Sequence, residues 1–196
     1  MEESFIRQLV WLDFRLALIF TVFLPLVLLI WAFKAKSKAI QRSLIIYWRV
    51  ASLLAITVYM MIGSLPISFL AGLVARILIP VSLWFWEDLN EDINAMRSSL
   101  KPLYKAWRWA VTTYCAIGAG ISLVFSNCAF APFEKQSSIC KIWFEPPLGY
   151  KDIFHHGIEP EKLAFFGIVG LIVYGLYLAA FVAFSLPKQG RIAFRE

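Results

Sequence analysis

Five apolar runs, each about as long as the hydrocarbon layer of a bilayer is thick, dominate this chain and leave few folds open to it. A transmembrane helix needs about 20 mainly apolar residues at a rise of about 1.5 Å each. Runs of this kind cover residues 16–33, 44–62, 67–86, 109–125 and 163–186. Lipid offers no water to backbone amides, so a spanning run must close its hydrogen bonds internally, as a helix. The expectation is an all-α, polytopic membrane helical bundle of about five transmembrane helices with one structured external loop. Apolar residues make up 60% of the chain and charged residues 16%, against about 45–50% and about 25% in soluble domains. A soluble fold explains this composition poorly.

The organisation follows from where the runs stop. Residues 1–15 read as an interfacial helix or a disordered start, 16–126 as transmembrane helices one to four, 127–162 as an external loop, and 163–196 as helix five with a basic tail. Glu2, Glu3 and Asp13 precede the first run and Lys34, Lys36, Lys38 and Arg42 follow it. That is the reverse of a cleaved signal's basic start, so the run is read as a retained helix. Gly63, Ser64 and Pro66 interrupt the longest apolar stretch and divide it into a helical hairpin.

Lys and Arg decide orientation, because short cytoplasmic loops collect them. The 34–42 and 87–108 segments hold four each and the tail three, Lys188, Arg191 and Arg195; the opposite side holds Arg7, Arg15, Lys135, Lys141, Lys151 and Lys162. This places the C-terminus in the cytoplasm and the N-terminus outside. Trp31, Trp48, Trp84, Trp86, Trp107 and Trp109 fall near the proposed cytoplasmic helix ends, where an indole keeps its N–H wet and its ring in lipid. The net charge of +6 is dispersed through these loops and forms no continuous basic face, so nucleic acid is not an expected partner.

Two arginines stand inside spans, Arg49 in the second and Arg76 near the middle of the third, and no Asp or Glu falls inside any of the five runs. A central Arg costs about 2.5–3.5 kcal/mol on insertion scales, so the charge needs shelter. Arg49 is close enough to the cytoplasmic surface to snorkel. Arg76 shares a helix face with Ser68 and Gly72, whose small side chains admit a neighbouring helix, and is expected to point inward. Three environments are open for it: internal hydrogen bonding, contact with an anionic lipid or a partner's carboxylate, or a transport site.

Gly118, Gly120, Gly167 and Gly170 lie within spans and read as helix-packing residues. Cys128 and Cys140 share the outer loop, and a disulfide between them is expected in an oxidising compartment; Cys115 lies inside the membrane. His155, His156, Asp152, Glu159 and Glu161 lack the spacing of a metal site and read as a solvated loop. Neither histidine is embedded, which argues against haem or pigment ligation. Glu87, Asp88, Glu91 and Asp92 read as a solvated acidic face offset by Arg97, Lys101, Lys105 and Arg108. No phosphate-cradling glycine loop, GxSxG or HExxH is present. No catalytic residue, metal site or cofactor is therefore assigned.

The segment IIYWRVASLLAITVYMMIGSLPISFLAGLVARILIPVSLWFWEDLNEDI, followed by RWAVTTYCAIGAGISL and GIVGLIVYGLYLAAFV, resembles a family of small cyanobacterial membrane proteins of unknown function. The resemblance implies a photosynthetic bacterial origin, and hence a thylakoid or plasma membrane, and supplies no reaction. The function expected from the residues is a non-enzymatic membrane factor that docks on, stabilises or helps assemble a larger, photosynthetic membrane complex, with the bilayer, anionic lipid and other membrane proteins as partners. The alternatives are a small anion transporter or channel using Arg76 and Arg49, and a membrane enzyme acting on a lipid or pigment.

Overall fold

The computed structural model describes residues 2–193, and these are almost wholly helical, with no strand. Arg195 of the expected basic tail lies outside them. The first helix is longer than its apolar run. It comprises α1 (Glu2–Ala17), a π-helical stretch Leu18–Phe23 and α2 (Leu24–Lys34) without a break. Residues 2–15 are thus the first turns of the first long helix, where an interfacial helix or a disordered start was expected.

Pro25 explains the π stretch. It has no N–H to give the carbonyls one turn earlier, so those of Phe20 and Thr21 lose a donor. Side chains from two other helices replace it: Trp107 Nε1 donates to the Phe20 carbonyl at 2.9 Å and the Tyr47 hydroxyl to the Thr21 carbonyl at 2.7 Å. The irregular turn is thereby where helix one is fastened to the bundle.

Next come α3 (Lys38–Ile62) and α4 (Ser68–Trp84), which form the expected hairpin. The turn is closed by Leu65 N–H donating to the Met60 carbonyl at 3.1 Å, with Ser64 in the left-handed region at φ 54°. Gly63 has an ordinary φ and serves packing instead, since a Cβ there would run into Ala164 of the last helix.

The chain bends by 56° into α5 (Glu87–Ala95), then runs back through α6 (Leu100–Val124). Short 3-10 turns at Ser126–Phe130 and Phe133–Lys135, with α7 (Ser138–Ile142) and α8 (Glu145–Phe154), make a cap. The last helix is α9 (Pro160–Ala180), continued through a π-helical stretch, Phe181–Ser185, into α10 (Leu186–Gln189).

Among the described residues three helices are long and apolar enough to cross a membrane, Glu3–Lys34, Lys38–Ile62 and Pro160–Lys188, and the bent pair α4–α5 makes a fourth if counted as one span. α6 is not among them; its first half carries Lys101, Lys105 and Arg108. The main core lies between α2, α3, α4, α5 and α6, with Leu28, Leu44, Tyr47, Ile79, Tyr104 and Val111 buried in it. Burial of each such side chain is worth about 1.5–3 kcal/mol relative to exposure to water. The Ser43 and Tyr104 hydroxyls satisfy one another inside that core at 2.6 Å.

The N-terminal end of α1 and the cap share one end of the bundle. Arg7 pairs with Glu145 at 2.9 Å, and the Ser138 hydroxyl donates to Glu3 at 2.6 Å. The α2–α3 turn, α5 and the C-terminal tail occupy the other end. There Arg191 pairs with Glu87 at 2.5 Å, and Ala193 N–H donates to both Asp88 carboxylate oxygens at 3.0 Å. Two members of the acidic face therefore anchor the tail.

Candidate functional site

Arg76 is held by Asp13. Its Nη2 donates to Asp13 Oδ2 in a direct ion pair, with the Arg and Asp side chains only 11% and 21% exposed. The sequence reading found no carboxylate inside any span to pair with Arg76; the extension of helix one brings Asp13 into the bundle and supplies one. At about 1.5 Å per residue, Asp13 sits about 16 Å along α1 from Glu2, and Arg76 about 12 Å along α4 from Ser68. The pair therefore lies well inside the helical stack.

α6 completes the unit. The Tyr114 hydroxyl donates to Asp13 Oδ1 at 2.9 Å and to the Asp13 carbonyl at 3.0 Å, and its ring centroid lies 5.8 Å from the Arg76 guanidinium carbon. One turn further on, Gly118 leaves the room the guanidinium occupies: a Cβ at that position would overlap Arg76 Nη1. Nη1 is buried against it with no hydrogen-bond partner. Both Asp13 oxygens carry a donor, one cationic and one phenolic, so the carboxylate is committed to joining α1, α4 and α6 and is poorly placed to act as a base or nucleophile.

Asp13 and Arg76 form part of the wall of a cavity of about 580 Å³ that runs between helix one and α3, with α4 behind and α8 across its cap end. Phe14, Phe69, Phe125 and Tyr150 line it, together with the hydroxyls of Thr21, Ser52, Thr57 and Ser122. A second groove, about 710 Å³, lies between α3, α4 and the α9–α10 helix, with Phe85, Tyr174 and Tyr177 in its wall. Arg49 is exposed beside it and makes no ion pair among the described residues.

Arg108, which the sequence offers only as one of the basic residues offsetting the acidic face, is 6% exposed. Its guanidinium carbon lies 3.7 Å over the Trp84 ring, and Nη1 donates to Asn90 Oδ1 at 2.6 Å. Asn90 in turn donates to the Trp84 carbonyl at 3.1 Å, and Trp84 Nε1 donates to the Thr112 hydroxyl at 2.9 Å. This network braces the bend between α4 and α5. One turn of α6 separates Arg108 from Thr112, and the hint in the sequence was its place among Trp107, Trp109 and the aromatic end of α4.

Of the four packing glycines, Gly118 receives Arg76, while Gly167 and Gly170 let α9 approach α3 at Met60 and Ile56. A Cβ on Gly167 would come within 3.0 Å of the Met60 amide nitrogen and one on Gly170 within 3.2 Å of Ile56. Gly120 meets nothing within 4 Å. Ser68 is buried, with its hydroxyl on the Leu65 carbonyl at 2.6 Å. Gly72 faces Thr57 of α3 across 3.4 Å as measured from an added Cβ.

Cys128 and Cys140 are joined in a disulfide, with Cα atoms 5.8 Å apart. The bridge sits against Phe69 and Phe144 in a small core beneath the cap. His155 lies with Nε2 3.1 Å from the Tyr59 hydroxyl, and His156 is exposed.

Neither a curated protein nor a solved structure matches the chain. A family model described as "Protein of unknown function (DUF3177)" matches residues 7–194, a stretch that includes Asp13, Arg76, Tyr114, both bridged cysteines and every helix from α2 to α10. The chain belongs to that family.

Proposed function

We propose that the chain is a non-enzymatic membrane protein of five spans that docks on another membrane protein and stabilises or helps assemble a larger complex. In this reading α6 is also a span, the fourth in chain order, with Arg108 held by Trp84 and Asn90. The cap faces outward and the tail lies in the cytoplasm, following the distribution of Lys and Arg. The resemblance to cyanobacterial proteins favours a thylakoid or plasma membrane and a photosynthetic partner.

The observation that carries this reading is the way α9 is attached. It packs through Gly63–Ala164, Gly167–Met60 and Gly170–Ile56 on α3, and the rest of its length turns Phe165, Phe166, Ile172, Val173 and Leu176 outward. The groove beside it carries Arg49, which makes no ion pair among the described residues, so the partner in this reading is a helix with a carboxylate at that depth. An anion path through Arg76 and Arg49 is the weaker reading, since Asp13 cancels the charge at Arg76.

A photoreactive residue placed at Val173 or Ile45 of the full chain in native membranes tests the docking face. A cross-link to a second membrane protein that disappears in Arg49→Gln supports it. Lipid adducts alone, with a monomer in mild detergent, overturn it.

A further inference from the structure

We propose that the 580 Å³ cavity between helix one and α3 is a binding site for an uncharged long-chain alcohol, one extended hydrocarbon tail with its hydroxyl beside the Asp13–Arg76 pair. Shape is the first argument. The cavity follows α3 from Trp48 to Met61, about 20 Å at the helical rise, so its mean cross-section is about 29 Å². That is room for an extended hydrocarbon chain. Exposed Val22 and Phe23 form its rim on the outer surface of the bundle, giving access from the lipid phase.

Charge is the second. Asp13 and Arg76 cancel one another, so an anionic or cationic head would bring an uncompensated charge into a low-dielectric site, at a cost an uncharged head avoids. Hydrogen-bonding sense is the third. Thr21, Ser52 and Thr57 spend their hydroxyl protons on the carbonyls of Ala17, Arg49 and Leu53, at 2.6, 2.7 and 2.8 Å. The indole N–H groups of Trp48 and Trp143 and Nη1 of Arg76 are covered. What remains open along the wall is of both kinds: the Ser122 and Tyr150 hydroxyls, which make no hydrogen bond among the described residues, and the second lone pairs of the threonine and serine hydroxyls and of the partly exposed Asp13 carboxylate. Such a wall suits a head that both donates and accepts, which a hydroxyl does, whereas an ester or an ionised carboxylate only accepts.

The test uses the purified full chain in lipid nanodiscs and hexadecanol carrying a mid-chain diazirine. After irradiation, adducts are expected on the 10–23 and 48–61 peptides, removed by excess plain hexadecanol. They should fall at least about tenfold, equivalent to about 1.4 kcal/mol of binding, when Ala55→Phe fills the cavity. Adducts on outward-facing α9 serve as the internal reference and stay constant in a folded variant. Ala17→Phe, on the opposite wall, is the second filling variant should the first disturb folding. Cavity labelling unchanged in both variants overturns the proposal. So does labelling of equal strength by the matched diazirine fatty acid or phosphatidylcholine.

Discussion

Replacing Asp13 by Asn keeps the size of the side chain and strands the Arg76 guanidinium in a site where it is 11% exposed. Removing one member of a buried ion pair leaves an uncompensated charge and costs about 3–5 kcal/mol. With both partners largely shielded from solvent, little of that is lost to screening. At about 2–4 °C per kcal/mol for a chain of this size, the melting temperature falls by about 6–20 °C. Arg76→Met leaves the Asp13 carboxylate uncompensated in its turn, and the double variant Asp13→Asn/Arg76→Met removes both charges, so it should cost clearly less than the sum of the two single changes. Unfolding of the four proteins in mixed detergent micelles, followed by circular dichroism, closes a double-mutant cycle. A coupling of about 2 kcal/mol or more is expected. Additivity within about 0.5 kcal/mol, the behaviour of residues that do not touch, refutes the pairing.

The neighbouring glycines give a matched contrast: Gly118→Ala pushes into the guanidinium and should cost about 1–3 kcal/mol, whereas Gly120→Ala, with open space around it, should be neutral or up to about 1 kcal/mol stabilising in thermal unfolding. Cys128→Ser should lower stability by about 3 kcal/mol, the chain-entropy value for a loop near fifteen residues, and abolish the mobility shift that reductant produces on a denaturing gel. Arg108→Lys keeps the charge and loses the flat stack on Trp84, a contact worth up to about 2 kcal/mol when desolvated. Its signature is faster hydrogen exchange in the Glu87–Ala95 helix, where Asn90 loses its partner.

The parts of this fold legible in the sequence are those set by local composition. Apolar runs mark the long helices, Gly63–Pro66 marks the hairpin, and two cysteines in one loop mark the bridge. Asp13 was illegible for a definable reason. Span boundaries were drawn where the apolar run begins, at Leu16, but a helix continues until something breaks it, and the polar face of residues 3–15 is satisfied by the cap and by Arg76, both distant along the chain. Arg108 was lost in the same way, one residue outside a boundary drawn at Trp109. Arg76 itself could be placed inside the bundle from its small-residue face, because that signal is local; the identity of its partner is a tertiary fact. The acidic run 87–92 likewise hid a division of labour. Glu87 and Asp88 hold the tail, while Leu89 and Ile93 bury the opposite side of the same short helix.

Chemical labelling of single cysteines in sealed, right-side-out membrane vesicles asks the question on which all of this turns. Cys115 is buried and the other two native cysteines are bridged, so reactivity reports the introduced site. Glu3→Cys and Lys135→Cys should react with an impermeant maleimide from outside, while Lys36→Cys, Arg97→Cys and Lys188→Cys react only after the vesicles are opened. Reaction of Lys135→Cys and Lys188→Cys from the same side would contradict the crossing of α9, and reaction of Glu3→Cys and Lys36→Cys from the same side would contradict the threading of helix one that carries Asp13 to Arg76.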